Sequence, residues 1–158
     1  MHFKPGDVLE YTGFNDQKLR YWRDTLRPLK RKTGNRRCYN HHEVVALIAL
    51  DLLVKDLGCN IGTVKSLASQ IFEHCKHESA WRQLAHYSLL IFPNEDKVEL
   101  RRRDSLEIPL ETDFFVVIQL AGPVTHLFSK LNNEEQQMAP PVPLLRARQT
   151  RANIRRRA

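Results

Sequence analysis

Cations carry the strongest chemical signal in this chain of 158 residues, which holds 25 Lys/Arg against 18 Asp/Glu. Arg20, Arg23 and Arg27 fall at i, i+3 and i+7, so a helix through them lines them along one face, while Leu19 and Trp22 share another. Lys30, Arg31, Lys32, Arg36 and Arg37 follow, on two short arms around Thr33-Gly34-Asn35. Arginine bonds guanine O6 and N7 with both arms of its fork, and a cationic hairpin beside a helix grips sugar-phosphate. The charge is clustered. Residues 1–39 carry +6, residues 40–143 carry −5 and residues 144–158 carry +6, within a net +7 and a pI near 9.6. A basic head and tail around an acidic middle point to a polyanionic partner, of which nucleic acid is the usual one.

Other side chains that could do chemistry form weaker groupings. Cys38 with His41 and His42 has ligand types but reads more simply as a strand residue followed by the first turn of a helix. His74, Cys75 and His77 are the better metal candidates, although no cysteine follows Cys75 and zinc usually takes four ligands. Glu107, Glu111 and Asp113 could act as paired carboxylates, or form a solvated acidic loop. Arg101-Arg102-Arg103 reads equally as a second nucleic-acid patch or as the exposed end of a hairpin. GxSxG, HExxH, phosphate-loop and GxGxxG patterns do not occur, so no enzyme and no cofactor is expected. The most apolar window, Phe114–Leu131, includes Gln119, Gly122, Pro123, His126 and Lys130, so no membrane partner is expected either. Three cysteines without a CxxC pair favour a reducing compartment, the cytoplasm, with association to the nucleoid.

These residues need elements to hold them. Asp7–Tyr11 reads as a short helix, Thr12–Asn15 as a turn with Gly13 at positive φ, and Asp16–Asp24 as a second helix capped by Asn15. Pro28 stops it, and a hairpin spans Leu29–Tyr39. Asn40 and Glu43 form a capping box for a helix to about Asp56, which Gly58 ends. A helix from near Gly62 to Cys75 and a helical piece over Ser79–Tyr87 follow. The period then changes: Leu89–Phe92 and Lys97–Arg102 make a hairpin, Phe114–Leu120 a buried strand, and Val124–Leu131 a short closing helix. Asn132–Gln137 is polar, Ala139–Pro143 is an extended linker, and the arginine-rich end reads as disordered.

Gly13-Phe14-Asn15 before Leu19-Arg20-Tyr21-Trp22, then Arg37-Cys38-Tyr39, then a capped helix ending at Gly58 before Asn60-Ile61, resembles the MerR family of bacterial transcription regulators. The resemblance covers about residues 3–75. It implies a winged helix-turn-helix whose second helix lies in the major groove, with Lys18, Arg20 and Tyr21 at the DNA. Arg37 and Tyr39 match wing residues that hold phosphates, and Leu19 and Trp22 match packing positions. Arg23 stands where the family often has an acid, which makes this helix more cationic.

The expected fold is mainly α with small β. Residues 1–75 form the winged helix-turn-helix, residues 76–135 an α+β dimerisation or effector region, and residues 136–158 a Pro-rich linker and disordered basic tail. The expected DNA contacts are Lys18, Arg20, Tyr21, Arg23, Lys30, Lys32, Arg36, Arg37 and Tyr39. The expected function is sequence-specific transcription regulation by a homodimer on a palindromic operator, with double-stranded DNA and a second copy as partners and RNA polymerase a further one to consider. Two other classes stay open: an architectural DNA protein of a mobile element, and a regulator that senses a metal or small molecule.

Overall fold

The computed structural model describes residues 2–32, 38–107 and 114–138. The fold is mainly helical, with one small antiparallel sheet. Helix α1, Pro5–Thr12, starts two residues earlier than its apolar pattern suggests, because Pro5 occupies the first turn and the Lys4 N–H donates to Asp7 Oδ2 at 2.7 Å. Gly13, at φ 71°, ends it in the left-handed conformation. Helix α2, Asp16–Thr25, opens on Asn15, whose Oδ1 accepts the Lys18 N–H at 2.7 Å.

The segment after α2 departs from the expected hairpin. Arg27–Leu29 is a 3-10 turn, not an extended arm, since Pro28 holds φ near the helical value and Leu29 is drawn fully into the core. Tyr39 pairs with Phe3 instead, through Phe3 N–H to Tyr39 O at 2.7 Å and Tyr39 N–H to Phe3 O at 2.9 Å. The expected hairpin tip, with Arg36 and Arg37, lies outside the described residues.

Helix α3, His41–Leu57, carries the expected capping box. The Glu43 N–H donates to Asn40 Oδ1 and the Asn40 N–H donates to Glu43 Oε2, both at 2.9 Å. Val44, Val45, Ala46 and Leu47 are all buried in succession, so this helix is enclosed on every side at its first turns and forms the axis of the molecule. Gly58, at φ 59°, closes it. Asn60 then caps a 3-10 turn, Ile61–Val64, which feeds helix α4, Lys65–Cys75.

The expected helical piece after α4 is a 3-10 turn over Trp81–His86, and Tyr87 already belongs to the sheet. Strand β1, Tyr87–Phe92, pairs antiparallel with β2, Lys97–Arg102, and with β3, Val116–Gln119, giving the order β2-β1-β3. The buried strand is β1, whose Ser88–Phe92 are all buried. The expected buried strand, β3, is an edge strand with only Ile118 buried, so its apolar run reports on something other than complete burial. Helix α5, Ala121–Met138, continues well past Leu131 into the polar stretch. The linker and tail after Met138 lie outside the described residues.

A single apolar cluster runs from Phe3 in the first segment to Leu127 in α5. Helix α3 packs against α1, α4, α5 and β3, so the first seventy-five residues and the later sheet share one core.

Candidate nucleic-acid interface

Helix α2 is held from beneath. Leu19 and Trp22 are buried, and Trp22 meets Phe14 edge-on at 4.9 Å between ring centroids. A second tie comes from its flank, where the Tyr21 hydroxyl donates to Asn60 Oδ1 at 3.0 Å. The same oxygen accepts the Gly62 N–H at 2.8 Å, so the turn entering α4 and the exposed side of α2 are fixed to one acceptor. A Cβ at Gly62 would come within 3.3 Å of that oxygen and 3.7 Å of the tyrosine hydroxyl. The outer face of α2 presents Asp16, Gln17, Arg20, Tyr21 and Asp24 to solvent. Arg20 reaches back to Asp16 at 3.1 Å, an exposed i,i+4 pair of the kind that contributes little and can be exchanged for another anion. Tyr21 is 47% exposed despite its hydrogen bond.

The other expected contacts divide by what already holds them. Lys18 turns inward. Its Nζ lies 2.5 Å from Asp51 Oδ1 and 4.2 Å from the centre of the Phe14 ring. Asp51 also takes Lys55 at 2.7 Å, so one nearly buried carboxylate gathers two ammonium groups. Lys32 likewise turns inward to Glu43 at 2.8 Å and donates to the Cys38 carbonyl. Tyr39 is 1% exposed, with the Lys32 ammonium 5.1 Å from its ring centre. These three residues are structural in this arrangement. Lys18 ties α2, and Lys32 the stretch after the 3-10 turn, to carboxylates on α3, and the Tyr39 ring is buried in the core. Arg23 is only partly exposed and lies beside Asp24 at 3.1 Å.

Lys30, by contrast, is exposed, and so are two neighbours outside the expected set, Arg27 and Arg31. None of the three makes an ion pair among the described residues. Arg27, Pro28 and Arg31 line one wall of a groove of about 430 Å³, and Ser69, Glu73 and Lys76 of α4 line the other. Lys76 is already engaged by Glu73 at 3.0 Å, which leaves the groove with a surplus of two arginine charges. Short-range pattern does not reveal this groove, because its walls are about forty residues apart in the chain. The same holds for Asn60, whose role depends on a contact with Tyr21 thirty-nine positions away.

The remaining groupings resolve differently. The His74 ring lies 2.9 Å from the Val98 carbonyl, the Cys75 thiol is buried, and His77 sits edge-on to Tyr87, so the three point apart. Burial pushes the Cys75 thiol up to about 12. Among the described residues no three His, Cys, Asp or Glu side chains gather closely enough to hold a metal ion. His41 is stacked on Trp81 at 5.0 Å and edge-on to Phe3 at 4.7 Å, and His42 bonds the Glu78 carbonyl at 2.7 Å. Burial above all, with the positive groups of His42 and Arg82 among the lesser causes, holds the His41 imidazole below its ordinary range. Of the arginine triplet, Arg101 pairs with Glu99 at 2.6 Å and Arg102 with Asp104 at 3.1 Å. Glu107 is exposed, and Glu111 and Asp113 lie outside the described residues. No described helix is long and apolar enough to cross a membrane.

Comparison with protein-family models finds no match to this chain. Comparisons with curated proteins and with solved structures find no match either.

Proposed function

We propose that this chain binds duplex DNA as a transcription regulator of the winged helix-turn-helix type that its first seventy-five residues resemble, acting as a homodimer on a palindromic operator. One observation carries the proposal: a short, capped helix, locked on its inner face, exposes Arg20 and Tyr21 and is followed directly by three solvent-facing cations, Arg27, Lys30 and Arg31, that have no carboxylate partner among the described residues. A helix of ten residues is about 15 Å long, suited to a major groove about 12 Å wide. In this reading Arg20 exchanges Asp16 for a base edge, Tyr21 is aimed by Asn60, and Arg27, Lys30 and Arg31 neutralise phosphates. The first of these supplies discrimination, and the last supplies sequence-independent affinity.

The same division says which cations take no part. Lys18 and Lys32 are already matched by carboxylates inside the fold, and moving either to a phosphate would leave Asp51 with Lys55 alone, or Glu43 without its ammonium, in a poorly solvated place. The test is selection of binding sites from random duplexes, followed by Arg20→Ala on the selected site. Loss of about 1–3 kcal/mol on that site, with binding to random duplex unchanged, is the expected result. Equal weakening on both would remove Arg20 as a base reader, and no binding to any duplex at low ionic strength would remove the function itself.

A further inference from the structure

The two edges of the sheet are finished in different ways. On the β2 side, side chains of α4 cap the edge at Val98. The Val98 N–H donates to Gln70 Oε1 at 2.9 Å, the Val98 carbonyl meets His74 Nε2 at 2.9 Å, and Gln70 Nε2 donates to the Asp96 carbonyl at 2.8 Å. Charges reinforce this. Lys97, Glu99 and Arg101 alternate along β2, with Glu99 gripped at 2.5 Å by Lys97 and at 2.6 Å by Arg101. Sealed backbone groups and alternating charges are the usual means of keeping another strand from adding to an edge.

Among the described residues the β3 side has neither device. The Leu120 N–H donates to the Tyr87 carbonyl at 3.1 Å, which sets the phase of the β1–β3 ladder. Residues of β1 two and four further on, Leu89 and Ile91, therefore exchange bonds with Ile118 and Val116. By alternation Phe115, Val117 and Gln119 turn their N–H and C=O groups away from β1, and among the described residues no hydrogen bond reaches those groups. From Phe114 to Ser129 the chain has no Lys, Arg, Asp or Glu. Phe114 is 48% exposed, Gln119 is exposed, and Phe115, Val116 and Val117 are half-buried.

We propose that β3 pairs antiparallel with β3 of a second copy, about a two-fold axis at Val117, joining two three-stranded sheets into one of six strands in the order β2-β1-β3-β3-β1-β2. The inference rests on the homodimer of the proposed function and supplies its interface. A second copy fits this edge for three reasons. The axis sets Val117 opposite Val117 and Phe115 opposite Gln119, so each outward N–H meets an outward C=O of the other copy in register. No like charges are brought together, because the segment has none. The assembly also closes: once the two β3 edges are joined, the edges left among the described residues are the β2 edges, which Gln70 and His74 cap at Val98 and which the charges of Lys97, Glu99 and Arg101 guard, so growth stops at two.

The test is the mass of the full chain at micromolar concentration by sedimentation, for the parent and two variants. Val117→Pro removes an outward N–H while leaving the ladder to β1, and a proline is tolerated at such an edge position. Phe114→Lys with Gln119→Lys changes two exposed side chains and places charges where β2 has them. The expected result is a dimeric parent, and variants with unchanged far-ultraviolet circular dichroism whose dimerisation is weakened at least about tenfold. Should Val117→Pro fail to fold, the double lysine variant decides. Variants that dimerise as tightly as the parent overturn the β3 interface and leave the homodimer standing. A monomeric parent overturns both, and titration of the same samples with a selected duplex shows separately whether DNA binding survives.

Discussion

Replacing Arg27 and Arg31 together by alanine should lower the salt dependence of DNA binding, whereas replacing Lys18 and Lys32 by methionine should not. Each phosphate neutralised by a protein cation contributes about 0.9 to the slope of log affinity against log salt. Arg27 and Arg31 are exposed and make no ion pair among the described residues, so both are available, and their removal takes about 1.8 from that slope. Between about 50 and about 200 mM salt this shrinks the affinity loss by about 12-fold relative to the parent, with the preferred sequence unchanged. Lys18 and Lys32 have spent their charge internally. Their removal strands the carboxylates of Asp51 and Glu43, each only 11% exposed at the side chain. Lys55 remains on Asp51 and Lys18 is itself one-third exposed, so the cost for each lysine is about 1–3 kcal/mol of stability, below that of a fully buried pair. Fluorescence anisotropy with a labelled duplex over a salt series gives the slopes, and urea unfolding gives the stabilities. If the lysine pair lowered the slope as much as the arginine pair, the separation of free from committed cations would be wrong.

Further outcomes follow from single contacts. Asn40→Ala removes the acceptor of the α3 capping box and should cost about 1 kcal/mol, seen as a fall in Tm of ~2–4 °C. His41 should make the fold less stable in mild acid. Because burial lowers its folded-state pKa, the unfolded chain takes up the proton first, so stability drops as pH falls through the ordinary value of 6.5 and levels off below the folded value. His41→Phe should flatten the change in unfolding midpoint between about pH 7.5 and about pH 5.5, and an unchanged difference would show that other histidines account for it. Alkylation of the native protein should modify Cys38 and Cys59 and spare Cys75, whose thiol is buried and pushed up to about 12, until denaturant is added; peptide mass mapping gives the order.

Local pattern was enough for the elements whose ends are set by near neighbours. Asn15 before α2, Asn40 with Glu43 before α3, and Gly13 and Gly58 at left-handed C-termini act over three or four residues, and the sequence states them. The β1–β2 hairpin was also legible, because a Pro-Asn-Glu-Asp turn lies between the apolar run Leu89–Phe92 and the alternating run Lys97–Arg102. The segment after Pro28 was not. Its turn residues suit a hairpin, yet Leu29 is captured by the core and Tyr39 finds Phe3, a partner thirty-six residues earlier in the chain. The apolar run at β3 was read as burial for a related reason, since an edge that invites another strand and a strand hidden in a core have the same composition.

The sequence by itself determined how many cations this protein has, that they cluster at its two ends, and where its second and third helices begin and stop. Only the tertiary structure decided which of those cations are free. Lys18 and Arg20 are two residues apart on one helix, but a turn of roughly 200° sends one towards Asp51 on α3 and the other to solvent. Lys32 and Arg31 are adjacent, and one meets Glu43 while the other lines an open groove with α4. A charge's availability depends on the carboxylate that packing brings beside it, and that partner is chosen by contacts far apart in the chain.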